Sequence, residues 1–155
     1  LTALHKKSKK HITHPTDAIL ADERAYLFTG PSQIAGSGKG LFTAVQIYKD
    51  EVIAVFKGRI LSAVVAKQKA ALRQDAYFIN MPDGTIMDCN RSFCFAKYAN
   101  DASGFKKSAL KNNAVITLNE DDEVCLVALT DIHAGAEVCC SYGRKYWQNY
   151  RAHLK

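Results

Sequence analysis

Hydrophobic residues in this chain come in short runs separated by polar turn residues, and few stretches are long enough for helical periodicity to build up. Residues 25–29, 41–44 and 52–56 read as β-type runs, the last closed by Lys57-Gly58, and residues 30–40 form a turn-rich stretch between the first two. Residues 62–74 depart from this pattern. Ser62 suits an N-cap, and Val65, Leu72 and the neighbouring alanines supply an apolar face, so a helix is predicted there. Runs at 77–80 and 85–88 flank Met81-Pro82-Asp83-Gly84, and runs at 114–118 and 124–129 flank Asn119-Glu120-Asp121-Asp122. Each arrangement predicts a hairpin. Residues 144–153 predict a short terminal helix carrying Tyr146, Trp147 and Tyr150. Many short strands with one internal helix make a β-rich α+β domain.

Composition narrows the picture. At 155 residues, one domain over 21–155 is expected, and 48% hydrophobic residues suffice for a core. No apolar run reaches the length of a membrane span, and the N-terminus lacks a signal-peptide core, so no membrane association is expected. The chain opens on Leu1 rather than Met, so a processed or trimmed product is expected. Five cysteines (Cys89, Cys94, Cys125, Cys139, Cys140) are an odd number with no Cys-x-x-Cys pair. Neither a zinc site nor a disulfide framework is suggested, and buried, reduced thiols in a reducing compartment are expected.

The formal net charge of +6 is concentrated at the front, in Lys6, Lys7, Lys9 and Lys10, with His5, His11 and His14 around them. Residues 1–20 are expected to form a flexible basic arm. Such a tract serves as a nuclear-import signal, as a nonspecific nucleic-acid contact, or as a solvated tail, and the residues leave all three open. A second basic cluster, Lys106, Lys107 and Lys111, lies in a Gly/Ser-containing loop. Zinc-finger, RNP-type and recognition-helix patterns are absent, which argues against sequence-specific nucleic-acid reading.

Candidate chemistry is sparse. Gly36-Ser37-Gly38-Lys39-Gly40 resembles a phosphate loop only superficially, because position 33 is Gln and position 40 is Gly where that motif needs Gly and Ser or Thr. What remains is a glycine-rich turn whose main chain can approach a polar ligand, or a plain tight turn. There is no Gly-x-Ser-x-Gly elbow and no His-Glu-x-x-His pattern, and His133 and His153 have no obvious cysteine partner. Asp83, Asp88, Asp121, Asp122 and Glu137 are candidates for paired carboxylates, but most fall in turns and read as solvated. The run from Ile132 to Gly143 ends a short apolar strand on Tyr142-Gly143, where the glycine allows a sharp bend that can hold the phenol at a pocket wall.

In order along the chain, several blocks together resemble the SET-domain protein lysine methyltransferases. They are Gly36 to Phe42, Ile47 to Ile53, Phe56-Lys57-Gly58, Asp75 to Phe78, Asp83 to Asp88, Phe95 to Asn100, and Ile132 to Gly143 with Tyr146-Trp147. The resemblance spans residues 25–150 and implies a β-clip type fold in which the Asn100 segment threads beside the Tyr142 segment as a pseudoknot. It further implies S-adenosyl-L-methionine as cofactor, a lysine-bearing protein tail such as a histone's as substrate, and a nuclear location. Residue by residue, Gly38, Lys39, Gly40, Leu41, Tyr77, Asn100, Asp101 and Trp147 are implied at the cofactor. Tyr142 and Tyr77 are implied at the catalytic centre, Cys140 and Tyr142 in the substrate channel, and no residue at a metal. Transfer of a sulfonium methyl to a neutral amine needs alignment, desolvation and a deprotonated lysine rather than a covalent enzyme intermediate or a metal.

Three departures from the family pattern stand out. Asn100-Asp101-Ala102 replaces the common Asn-His-Ser, Cys140 stands where a larger aromatic is frequent, and no cysteine-rich zinc-binding segment follows Trp147. A smaller residue at 140 implies room for higher methylation states, and the terminal aromatics either close the channel or pack as core. Two other classes stay open: a non-catalytic SET-like protein- or chromatin-binding module, and a nucleic-acid or chromatin binder led by the basic arm.

Overall fold

The computed structural model describes residue 19, residues 21–104 and residues 108–152. The basic arm, the pair Lys106-Lys107 and His153 lie outside the described residues. In chain order the elements are α1 (Glu23–Tyr26), β1 (Leu27–Pro31), β2 (Lys39–Thr43), β3 (Val52–Val55), β4 (Arg59–Leu61), α2 (Ala63–Ala71), β5 (Phe78–Asn80), β6 (Ile86–Asp88), a 3-10 turn (Ala96–Tyr98), β7 (Ala114–Leu118), β8 (Val124–Ala128), β9 (Glu137–Val138) and α3 (Arg144–Ala152). Three antiparallel sheets result, ordered β1-β2-β9, β3-β8-β7 and β4-β6-β5.

Both hairpins expected from turn chemistry form. Gly84 takes φ +85° while the Asp83 side chain accepts the Thr85 amide at 2.9 Å, which closes β5 onto β6. In the β7–β8 turn the Asn119 side-chain oxygen accepts the amides of Asp121 (3.0 Å) and Glu123 (2.9 Å), and Asp122 occupies the left-handed region. Leu41, Ile47, Ile53, Leu126, Ile132 and Val138 fill the centre, where the sheets meet. All five cysteines are buried and free.

The pseudoknot implied by the resemblance is present. Residues 139 and 140 run between two neighbours, with parallel bridges from Cys139 to Asn100 and from Cys140 to Ala114. The Cys140 amide donates to the Asn100 carbonyl (2.9 Å) and the Ala114 amide to the Cys139 carbonyl (2.9 Å). Asn113 clamps the same strand from its side chain, accepting from the Cys139 amide and donating to the Glu137 carbonyl.

Three expectations are corrected. The first strand starts at Leu27 rather than 25, because Asp22 caps the Arg24 amide and winds residues 23–26 into a helical turn. The apolar face expected from Val65 and Leu72 in α2 is exposed, and the buried residue of that helix is Ala66. Asp88 and Glu137 are buried rather than solvated, Asp88 satisfied by Lys69 of α2 and the nearby Asn90 amide, and Glu137 by Ser32 and Gln33.

Candidate active site

A narrow, largely apolar cavity lies where the pseudoknot meets β3, β5 and β7, and Phe56, Tyr77, Ala99, Ile116, Cys140 and Tyr142 line it. The Tyr142 hydroxyl donates to the Ala99 carbonyl at 3.0 Å. Burial raises its phenol well above the ordinary tyrosine value, and the neighbouring Cys140, Tyr146 and Asp101 add to that. The hydroxyl therefore keeps its proton. Cys140 is buried beside it with Sγ 3.8 Å from the same Ala99 carbonyl, and burial raises its thiol too, so it stays neutral. Tyr77 forms the opposite wall, edge-on to Tyr98.

Lys97 also borders this cavity, a residue that sequence reasoning placed only inside a matching block. Its ammonium donates to the carbonyls of Cys89 (3.1 Å), Asn90 (3.0 Å) and Ser92 (2.9 Å). It also sits over the rings of Tyr77 (5.4 Å) and Tyr98 (5.3 Å). The only local hint was its place one residue before Tyr98, in a segment otherwise made of small and aromatic residues.

The glycine-rich turn reaches this region through Asn100. Its side-chain amide donates to the Lys39 carbonyl at 2.9 Å, and the preceding Ala99 lines the cavity. Gly38 has φ +68° and open space where a Cβ would stand, so its main chain is approachable. At Gly40 the same space is filled by the Glu137 carboxylate. Leu41 is wholly buried in β2, paired with Thr29 of β1 on one side and Val138 of β9 on the other, so unlike Gly38 it presents no open surface to a ligand.

Glu137, read from the sequence as one of several turn carboxylates, organises that turn. It is 2% exposed. It accepts the Ser32 hydroxyl (2.6 Å), the Gln33 amide (2.7 Å) and, at 3.4 Å, the Asn100 side-chain amide. The missed signal is an acid flanked by Ala136 and Val138 in a strand, a position that is costly unless the charge is fully hydrogen-bonded.

Asp101 is a further buried carboxylate, 5% exposed. One oxygen accepts the Ser103 amide and hydroxyl and the Asn112 side chain, and the other accepts the Tyr142 amide and the Trp147 indole N–H. Burial alone pushes its carboxyl up, but these hydrogen bonds outweigh it and hold the group below the ordinary carboxylate value. The Trp147 ring lies nearly parallel to Tyr142 (centroids 5.9 Å apart, 12° between planes). The structure thus gathers Tyr77, Cys140 and Tyr142 at one cavity, ties Asn100 to the glycine-rich turn at Lys39, and sets Asp101 with Trp147 against Tyr142. Among the described residues, no group of three or more His, Cys, Asp or Glu is placed to hold a metal ion, and no helix is long and apolar enough to cross a membrane.

The SET-domain family model matches residues 38–143, more than half of the chain, and the chain belongs to that family. Among solved structures it is similar to one described as a humanized mutant of the Chaetomium thermophilum Polycomb Repressive Complex 2 bound to the inhibitor GSK343. The TM-score is 0.61 at 23% identity, over 76% of this chain and 15% of that one, a likeness of fold. The chain thus spans a small part of that protein's length. No curated protein matches the chain.

Proposed function

We propose that this chain is the methyl-transfer domain of an S-adenosyl-L-methionine-dependent protein lysine N-methyltransferase that acts in the nucleus on a lysine-bearing tail such as a histone's. The observation that carries the reading is the narrow apolar cavity walled by Tyr77, Cys140 and Tyr142, joined through Ala99 and Asn100 to the open main chain at Gly38, all inside a SET domain. The residues present fit the cofactor. The space at Gly38 admits a ligand against bare backbone, and the neighbouring Asn100 brings a side chain that both donates and accepts hydrogen bonds. In this reading Gly38 and Lys39 hold the cofactor through main-chain groups, Gly40 and Leu41 support them from inside β2, and Tyr77, Asn100, Asp101 and Trp147 border it. When bound, it supplies an electrophilic methyl group on a sulfonium centre.

The chain's own residues do the rest by positioning. In this reading the Tyr142 hydroxyl, held on the Ala99 carbonyl with its proton in place, helps to orient an incoming amine without taking a proton from it. The hydrocarbon walls exclude water and lower the pKa of a lysine that enters, because burial disfavours an ammonium. The fixed Lys97 cation at the wall acts in the same direction, since a second positive charge nearby is repelled. In this reading the small Cys140, standing where a larger aromatic is frequent in the family, lets the channel accept a lysine already carrying methyl groups. A basic tail meets a chain of net charge +6, so docking relies on local acidic surface such as Asp121, Asp122 and Glu123.

The test is incubation with labelled cofactor and a panel of histones, alongside calorimetry with the cofactor alone. Methylated lysine is expected, with di- or trimethyl product by mass spectrometry. Tyr142→Phe should lower turnover on the order of 100-fold or more while cofactor affinity stays near normal. Absence of cofactor binding at millimolar concentration would sink the enzyme reading and leave a SET-like binding module. Unchanged turnover in Tyr142→Phe would refute the role of that phenol, and purely monomethyl product would refute that of Cys140.

A further inference from the structure

We propose that Asp101 is a positioning residue whose carboxylate is the catch that seats α3, through the Trp147 indole, on the ring of Tyr142. The structural part stands on contacts within the chain, and its consequence for turnover rests on the methyl-transfer reading above.

The two carboxylate oxygens serve two sides. Oδ1 accepts the Ser103 amide (2.9 Å), the Ser103 hydroxyl (2.7 Å) and the Asn112 side-chain amide (2.9 Å), which ties Ser103 and Asn112 to the same carboxylate. Oδ2 accepts the Tyr142 amide (2.8 Å) and the Trp147 Nε1–H (2.8 Å), which ties the active-site strand to the helix that follows it. All five partners donate, so an ionised carboxylate matches them and each bond is charge-assisted. An amide at this place would set its NH2 against N–H groups on one side or the other.

A second observation concerns shape. A Cβ at Gly104 would overlap the Trp147 ring, with Cη2 at 2.6 Å, so the loop leaves room for the indole only because residue 104 has no side chain. Seated there, Trp147 stacks on Tyr142, and Tyr146 packs edge-on against the same ring at 4.8 Å. Two aromatic rings thereby cover the phenol that donates to Ala99. At nine residues, α3 is too short to hold together in water unaided, so docking decides whether it forms. Asp101 thus connects the pseudoknot, the phenol and the roof above it through one buried charge.

Trp147 is the chain's single tryptophan, so fluorescence of the whole chain without cofactor reports the catch directly. Asp101→Asn and Gly104→Ala should red-shift its emission, raise acrylamide quenching several-fold, and speed trypsin cleavage after Arg144, Lys145 and Arg151, with the sheet signal in circular dichroism kept. Trp147→Phe, which keeps a ring but removes the N–H donor, should raise the same cleavage several-fold. Unchanged quenching in the first two variants overturns the proposal. Should those two fail to fold, unchanged cleavage in Trp147→Phe overturns it. With the enzyme reading correct, each released variant should also lose kcat at least 10-fold. Release without any methyl transfer by the wild type would leave the catch standing and remove the reading it serves.

Discussion

The two longer helices are both nine residues, and they are held in opposite ways. α2 is made almost wholly of helix-favouring and apolar residues and is capped by the Ser62 hydroxyl, yet Val64 (65%), Val65 (39%) and Leu72 (68%) stand exposed. It is tied down by the small Ala66 and by an ion pair between Lys69 and buried Asp88 at 2.5 Å. α3 carries five basic or amide residues among its nine but is docked through Tyr146 and Trp147 and caught by Asp101. Apolar content therefore did not decide which helix would dock. The partner surface did: α3 meets an aromatic ring and a carboxylate, and α2 is tied to β6 through the Lys69–Asp88 pair.

Removing the anchor of α3 should produce the largest effect. Trp147→Ala is expected to cost about 3 kcal/mol of docking, read as loss of α3 helicity in circular dichroism and rapid trypsin cleavage after residue 144. A thermal midpoint and helicity equal to wild type would make the aromatic roof incidental. Asp88→Ala comes next. It leaves Lys69 without its carboxylate and the Asn90 amide without its acceptor, for about 2 kcal/mol in denaturant unfolding, and amide exchange in α2 should quicken while α3 stays protected. Equal protection of both helices would show that α2 is held by something other than this pair.

Acid should loosen both ties. The carboxyls of Asp88 and Asp101 are each pushed up by burial but pulled further down by their hydrogen-bond donors, Lys69 and the Asn90 amide in one case, Trp147 and Asn112 first in the other. A depressed folded-state pKa means that the stabilisation is complete above the ordinary carboxylate range. It is then lost as pH falls from that range through the folded value. Trp147 emission should accordingly hold at neutral pH and shift in acid. A shift already complete near neutrality would contradict this assignment. The smallest effect is expected at Leu72→Ser, within about 0.5 kcal/mol, because that side chain already meets solvent; a loss of several kcal/mol by chemical denaturation would mean that α2 is covered.

Much of the frame was legible from local chemistry. The hairpin around Asp83-Gly84 and the one around Asn119 to Asp122 follow from residues within four positions of one another, and so does the Ser62 cap. The order of the motif blocks, through the family resemblance they carry, implied that the Asn100 and Tyr142 segments lie side by side. Less legible were the buried acids. Asp88, Glu137 and Asp101 look alike in sequence, as single acids near turns or strand ends, but the Ser32 partner of Glu137 lies 105 positions away and the Trp147 partner of Asp101 lies 46 away. The outward face of α2 was misread for a related reason, since its alanines and valines match a buried stripe until one knows what stands opposite.

By itself the sequence determined the short strands, their turns, the family pattern and the identity of the phenol at its centre. These depend on backbone preferences and on residues close in the chain. Only the tertiary structure decided that Glu137 braces the glycine-rich turn, that Lys97 fixes a cation at the cavity wall, and that Asp101 joins Tyr142 to Trp147. A buried charge is tolerated only when donors from separate segments converge on it, and that convergence exists only once the chain has folded.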